Sequence, residues 1–247
     1  MLINRIYKSF PNAITCANLF SGCIGIVFAL KGNLNYAAYT IFASAVFDFF
    51  DGFAARIMKA YSDIGKELDS LADVVSFGVL PGAIIYGLFT EMQQPANIGN
   101  WLNYTAFLIP VFSALRLAKF NIDTRQAESF IGLPTPANAI LIASLPLIAT
   151  YYNWTHGIFF SNPYVLLVFT FIMCALLVVE IPMMSLKFKN FNLQKNIYRY
   201  LLLAFSAIAI LFFKFAAIPV IIFFYILLSI FQLKFAGNSL SSSDIKS

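Results

Sequence analysis

Charge is scarce in this chain of 247 residues. Asp, Glu, Lys and Arg together make up 11%, against roughly 25% in an ordinary soluble domain. There is one histidine, and there are three cysteines: Cys16, Cys23 and Cys174. That odd number, with every cysteine in an apolar stretch, excludes a disulfide framework and leaves small packed residues. What fills the chain is apolar. Hydrophobic residues make up 60%, with 28 Phe and 12 Tyr, and mean hydropathy is +0.81. So many large apolar side chains cannot hide in one globular core of this length. A soluble enzyme, a secreted disulfide scaffold and a disordered chain are excluded on that ground. The bilayer is the expected solvent, and an all-α polytopic membrane domain over residues 1–235 is the expected fold. The net charge of +5 then reads as Lys and Arg kept on cytoplasmic loops, not as a nucleic-acid surface.

A membrane span needs about 20 apolar residues. Runs of that kind predict eight spans, at about 13–30, 35–58, 66–89, 102–120, 135–152, 163–185, 197–213 and 215–235. Only Lys214 separates the last two, and merging doubtful pairs would leave six. Residues 91–101 read as a polar loop, and residues 236–247, with five serines, as a disordered tail. The segment 19–23, L-F-S-G-C, has some likeness to a lipoprotein cleavage site, but the first apolar run reads as a retained span. With both termini in the cytoplasm, fourteen of the 16 basic residues fall on that side and only Lys31 and Lys214 outside. This bias predicts an even number of spans in a bacterial-type inner membrane, with both termini and the acidic site facing the cytoplasm.

Six of the eleven acidic residues, Asp48, Asp51, Asp63, Glu67, Asp69 and Asp73, lie within 26 positions. A carboxylate at a helix centre costs about 2.5–3.5 kcal/mol on insertion scales, so acids interrupting apolar segments are functional candidates. Asp48 and Asp51 are three apart and Asp69 and Asp73 four apart, so each pair shares one helix face. A short connection near residues 59–64 makes the two helices antiparallel neighbours, and the four carboxylates converge between them. Protons or divalent cations must neutralise such a cluster. Its donors are all hard oxygens with no Cys–His set nearby, which favours Mg²⁺ or Mn²⁺; two ions would suit phosphoryl chemistry. Gly52 and Ala55 lower one helix surface, Gly65 opens the other, Ser62 adds a hydroxyl and Arg56 a guanidinium suited to phosphate.

Written out, residues 48–73 run D-F-F-D-G-F-A-A-R, eight residues, then G-K-E-L-D-S-L-A-D. This resembles the CDP-alcohol phosphotransferase signature, D-x₂-D-G-x₂-A-R-x₈-G-x₃-D-x₃-D, at every fixed position. The resemblance implies a membrane enzyme with a six-helix catalytic core, often a homodimer, in which two divalent cations help an acceptor hydroxyl displace CMP from a CDP-linked donor. It implies that Asp48, Asp51, Asp69 and Asp73 bind the metals, with Asp73 also the general base. By the same resemblance Gly52, Arg56, Ser62 and Gly65 hold the CDP. Thr15 and Asn18, in P-N-A-I-T-C-A-N, are candidates for further nucleotide contacts, with helix capping as the alternative.

Two further segments, R-L-A-K-F-N at 116–121 and F-I-G-L-P-T-P-A-N at 130–138, resemble the phosphatidylserine synthase branch, although Lys119 stands where that branch usually has Arg. The resemblance covers roughly residues 10–140. It implies CDP-diacylglycerol as donor and L-serine as acceptor. A zwitterionic amino acid needs donors for its carboxylate, for which Arg116 and Lys119 are candidates, and acceptors for its ammonium, for which Asn121 and Asn138 are candidates. The alternative for the two cations is membrane-surface anchoring. Glu180 in span six reads as solvated at the membrane edge, with a buried partner for a base as the alternative, and His156 has no assigned role. Two other readings stay open: a different acceptor such as glycerol 3-phosphate or an inositol compound, and a cation-coupled transporter. The wholly apolar remainder of spans two and three argues against transport.

Overall fold

The computed structural model of the chain describes residues 2–92, 101–123, 130–153, 162–184, 192–193 and 196–241. His156, most of the expected 91–101 loop and residues 242–247 of the expected tail lie outside them. The described residues are helical apart from one two-stranded pairing and short connections. Helix α1 (Leu2–Leu30) turns through Gly32, at φ +77°, into α2 (Leu34–Ile57). The two pack as an antiparallel hairpin, with Ser21 Oγ donating to the Thr40 carbonyl at 3.1 Å. Residues 58–62 lead into α3 (Asp63–Val74), capped by Ser62, whose side chain accepts from Gly65 N at 3.0 Å.

Helix α3 continues through one π-helical turn, Val75–Val79, into α4 (Leu80–Glu91). Pro81 explains the wide turn. Its ring would crowd a carbonyl four residues back and it has no N–H to donate. This continuous helix is the centre of the molecule: 72% of its most apolar window is buried, and Phe77, Leu80, Ile84, Ile85 and Phe89 are fully enclosed. Short α5 (Trp101–Tyr104) and a 3₁₀ turn lead into α6 (Leu108–Ile122).

Strand β1 (Phe130–Ile131) precedes α7 (Thr135–Tyr151) and α8 (Pro163–Val178), and β2 (Pro182–Met183) pairs antiparallel with β1. Helix α8 thus stops short of the expected 163–185. Pro182 disfavours helix at the residue before it, and the chain runs extended into the strand pair. Helix α9 (Ile197–Phe213) and α10 (Ala217–Ser241) follow. Lys214, at φ +43°, breaks the apolar run between them. The Phe205 and Phe224 rings lie 4.2 Å apart, so the chain doubles back there as a helical hairpin.

Among the described residues four stretches are long and apolar enough to cross a membrane: Ser9–Leu30, Asp63–Glu91, Trp101–Ile122 and Ile197–Gln232. Helices α7 and α8 are apolar but shorter. Helix α2, with 24 residues, is about 36 Å long but carries Asp48, Asp51 and Arg56 near its C-terminal end.

One node locks α1, α2 and the π turn together. The Asn18 carbonyl accepts from Ser44 Oγ at 3.3 Å and from Ser76 Oγ at 3.0 Å. The close approach depends on Gly22: a Cβ there would lie 3.0 Å from the Ser76 Cα, and backbone cannot step aside cheaply. Gly22→Ala should therefore destabilise the fold by about 1–3 kcal/mol through overpacking. Thermal unfolding in detergent checks this, and an unchanged midpoint would contradict the packing argument.

Candidate functional site

The two acidic helix segments meet as their spacing requires. Asp48 and Asp51 on α2 and Asp69 on α3 bring carboxylate oxygens within 4.8 Å of one another. Asp51 is buried, and Asp51 Oδ2 and Asp69 Oδ1 are enclosed without a hydrogen-bond partner. Three converging carboxylates with orphaned buried oxygens fit a divalent cation: the donors are hard, their charges need compensation, and the unpaired lone pairs point to a missing electrophile.

Asp73 stands apart from this trio. It sits one helical turn beyond Asp69 on the same face of α3, is buried, and accepts from Asn18 Nδ2 at 3.4 Å. It still feels the charges of Asp48, Asp69 and Asp51. Asn18 is therefore bound twice into the site, through its carbonyl to the helix node and through its side chain to Asp73.

A cavity of about 210 Å³ opens beside the trio, with Thr15, Asp51, Gly52, Ser62, Gly65 and Asp69 on its wall. Nothing lies within 4 Å of the position a Gly52 Cβ would take, so that glycine keeps the space open. Gly65 does the opposite: a Cβ there would meet Asn12 Oδ1 at 2.9 Å, so its smallness lets α3 approach α1. Asn12, Tyr61 and Lys66 also line this cavity. The first two lie outside the spaced identities of the signature, although Asn12 belongs to the P-N-A-I-T-C-A-N stretch. Arg56 does not line it: its exposed guanidinium donates from Nε to the Gly52 carbonyl at 2.9 Å.

The residues singled out for an acceptor divide. Arg116 and Lys119, three apart on α6, line a second cavity of about 330 Å³. Asn121 lines neither cavity: its Nδ2 donates to Ser70 Oγ at 2.8 Å, and its carbonyl accepts from Lys66 Nζ at 3.2 Å, tying α6 to α3. Asn138, near the start of α7, is fully buried with both side-chain polar atoms unpartnered and lines neither cavity. Arg116 is 6% exposed, its Nε is unpartnered, and it interacts electrostatically with Asp73. The second cavity thus adjoins the acidic centre through one buried cation. Glu180, which is exposed, also lines this second cavity.

A family model described as CDP-alcohol phosphatidyltransferase matches residues 8–182. The chain belongs to that family. Relatives carry a consistent name. A CDP-diacylglycerol–serine O-phosphatidyltransferase of Helicobacter pylori is 34% identical over 196 residues, covering 78% of this chain and 79% of its own. One of Bacillus subtilis is 40% identical over 126 residues, covering 51% and 68%. An archaetidylserine synthase of Methanothermobacter thermautotrophicus is 34% identical over 148 residues, covering 59% and 60%. The family match takes in both cavities and all four aspartates but stops before the α9–α10 hairpin.

The carboxylate trio should bind Mn²⁺ without any substrate present. Asp51→Asn removes one charged ligand and should weaken binding at least tenfold, since a charge-assisted interaction is worth roughly 1.5–3 kcal/mol. Titration followed by electron paramagnetic resonance measures it; unchanged affinity would place the cation elsewhere.

Proposed function

We propose that this protein transfers the phosphatidyl group of CDP-diacylglycerol to the hydroxyl of L-serine, giving phosphatidylserine and CMP, as a step of phospholipid synthesis. The observation that carries the reading is the convergence of the signature aspartates beside a cavity walled by the signature's small residues. The names of the relatives support serine as the acceptor.

In this reading Asp48, Asp51, Asp69 and Asp73 hold two divalent cations, Mg²⁺ or Mn²⁺. When bound, these supply charge neutralisation for the diphosphate and for departing CMP. Thr15, Asn18, Gly52, Ser62 and Gly65 shape the nucleotide pocket, and Arg56 reaches the diphosphate from the exposed side. Asp73 takes the proton of the serine hydroxyl as the new oxygen–phosphorus bond forms and the bond to CMP breaks. Its place outside the close trio supports that role, because a carboxylate oxygen not taken up by a cation is left to receive the proton. The Asn18 amide orients the Asp73 carboxylate. Arg116 and Lys119 take the serine carboxylate from the second cavity. The donor's acyl chains stay in lipid beside helices whose outer faces are apolar.

The same reading places the chain as an eight-span protein of a bacterial-type inner membrane, around a six-helix catalytic core, with both termini and the acidic centre toward the cytoplasm, and as a homodimer. The basic residues Arg56, Lys59, Lys66, Arg116 and Lys119, on or next to the helices that carry the acidic centre and α6, support that orientation.

Purified protein with CDP-diacylglycerol should release CMP when given L-serine, and not when given glycerol 3-phosphate or inositol. Release with only one of the latter would reassign the acceptor. Asp73→Asn should abolish product formation while keeping most of the affinity for CDP-diacylglycerol, read by a binding titration beside the product assay. Near-normal turnover in that variant would remove Asp73 as the base.

A further inference from the structure

The second cavity carries charges of both signs. Arg116, Lys119 and Ile122 of α6, with Asp123 just after it, line one side, Leu177, Val178 and Glu180 line the other, and Ile131 of β1 also lines it. The two cations lie three residues apart, on one face of the helix. The Glu180 carboxylate comes from the stretch just after α8. At 330 Å³ the cavity has room for a small amino acid with water.

The backbone that presents Glu180 is held on both sides. Gly132 N donates to the Ile181 carbonyl at 2.9 Å, and Leu133 N to the Leu176 carbonyl at 2.8 Å. Ile131 pairs with Pro182 in the short sheet. Beyond it, Met184 is clamped by α10: its N–H donates to Ser229 Oγ at 3.0 Å, and its carbonyl accepts from Tyr225 OH at 2.9 Å. A carboxylate on a mobile edge loop would be a poor recognition element; one fixed this way is preorganised.

The sign pattern selects among acceptors. A dianionic phosphate would meet the cations but be repelled by Glu180. A neutral polyol would bring no charge to meet Arg116, Lys119 or Glu180. An α-amino acid carries carboxylate and ammonium on one carbon and meets charges of both signs at once. The buried Arg116, unpartnered at Nε and within electrostatic reach of Asp73, directs such a ligand toward the reacting centre.

We propose that Glu180 is the specificity-determining residue that binds the ammonium of the amino-acid acceptor, opposite Arg116 and Lys119 on its carboxylate. The proposal rests on the serine-transfer reading above and adds to it a residue that selects an amino acid over an unaminated alcohol. The test compares wild-type protein with Glu180→Gln in detergent micelles, measuring CMP release against L-serine, against glycerate, which lacks the ammonium, and against CDP-diacylglycerol. Glu180→Gln should raise the serine KM tenfold or more, cut the preference for serine over glycerate by a similar factor, and leave the CDP-diacylglycerol KM within twofold. A merely structural residue would change both substrates' kinetics together. Serine KM and serine preference both within twofold of wild type would overturn the proposal while leaving the transfer reaction standing. Wild-type protein that releases no CMP with serine would instead overturn the transfer reading, and this proposal with it. If Glu180→Gln does not fold, Glu180→Asp draws the charge back by one methylene and should raise the serine KM severalfold; an unchanged value there also overturns the assignment.

Discussion

Negative charge held between two packed helices is the constraint around which the rest of this molecule is arranged. Each carboxylate taken from water is costly, and several close together repel, so the surrounding structure must hold them still and leave room for a compensating cation. Helix α1 does most of the holding. Asn18 sends its amide to Asp73 and its carbonyl to serines on α2 and on the π turn, while Gly22 lets the π turn come close enough to reach it. The π turn itself, widened ahead of Pro81, follows directly on the helix that carries Asp73. A helix kink and the site acid thus share one short segment, a placement common at functional sites.

Two cavities open from this centre, and their chemistry differs as the two substrates differ. The one beside the carboxylate trio is walled by glycine, serine and threonine, with a lysine at its side, suited to bring a diphosphate close to backbone and cations. The other brings the cations Arg116 and Lys119 together with the carboxylates Asp123 and Glu180 over apolar ground, suited to a small zwitterion. Arg116 lines the second cavity and lies within electrostatic reach of Asp73, the carboxylate proposed to move the proton.

The C-terminal hairpin enters this arrangement indirectly. It lies beyond the stretch matched by the family and is largely exposed to what would be lipid, with 17% of its most apolar window buried. Yet Tyr225 and Ser229 on α10 hold Met184, and through it the short strand pair that frames the acceptor cavity. Lys214, at the turn of the hairpin, bonds to the Tyr151 hydroxyl and lies 4.6 Å from that ring's centre, which ties the hairpin's far end to α7.

Composition alone determined that this is an all-α membrane protein, because an apolar excess of this size has no other solvent. The three- and four-residue spacings of the aspartates determined that they share helix faces, because helical periodicity is local. The pairing of Arg116 with Lys119 on one face was legible for the same reason. Tertiary structure decided the rest. It left Asp73 outside the trio that lies within 4.8 Å, took Asn121 away to brace α6 against α3, enclosed Asn138 away from both cavities described above, and brought Glu180 to the cavity that Arg116 lines. It also made one residue, Lys214, into the tip of a hairpin. None of these follows from spacing, because each depends on residues far apart in the chain meeting across helix interfaces, and the distance at which they meet is set by packing rather than by sequence period.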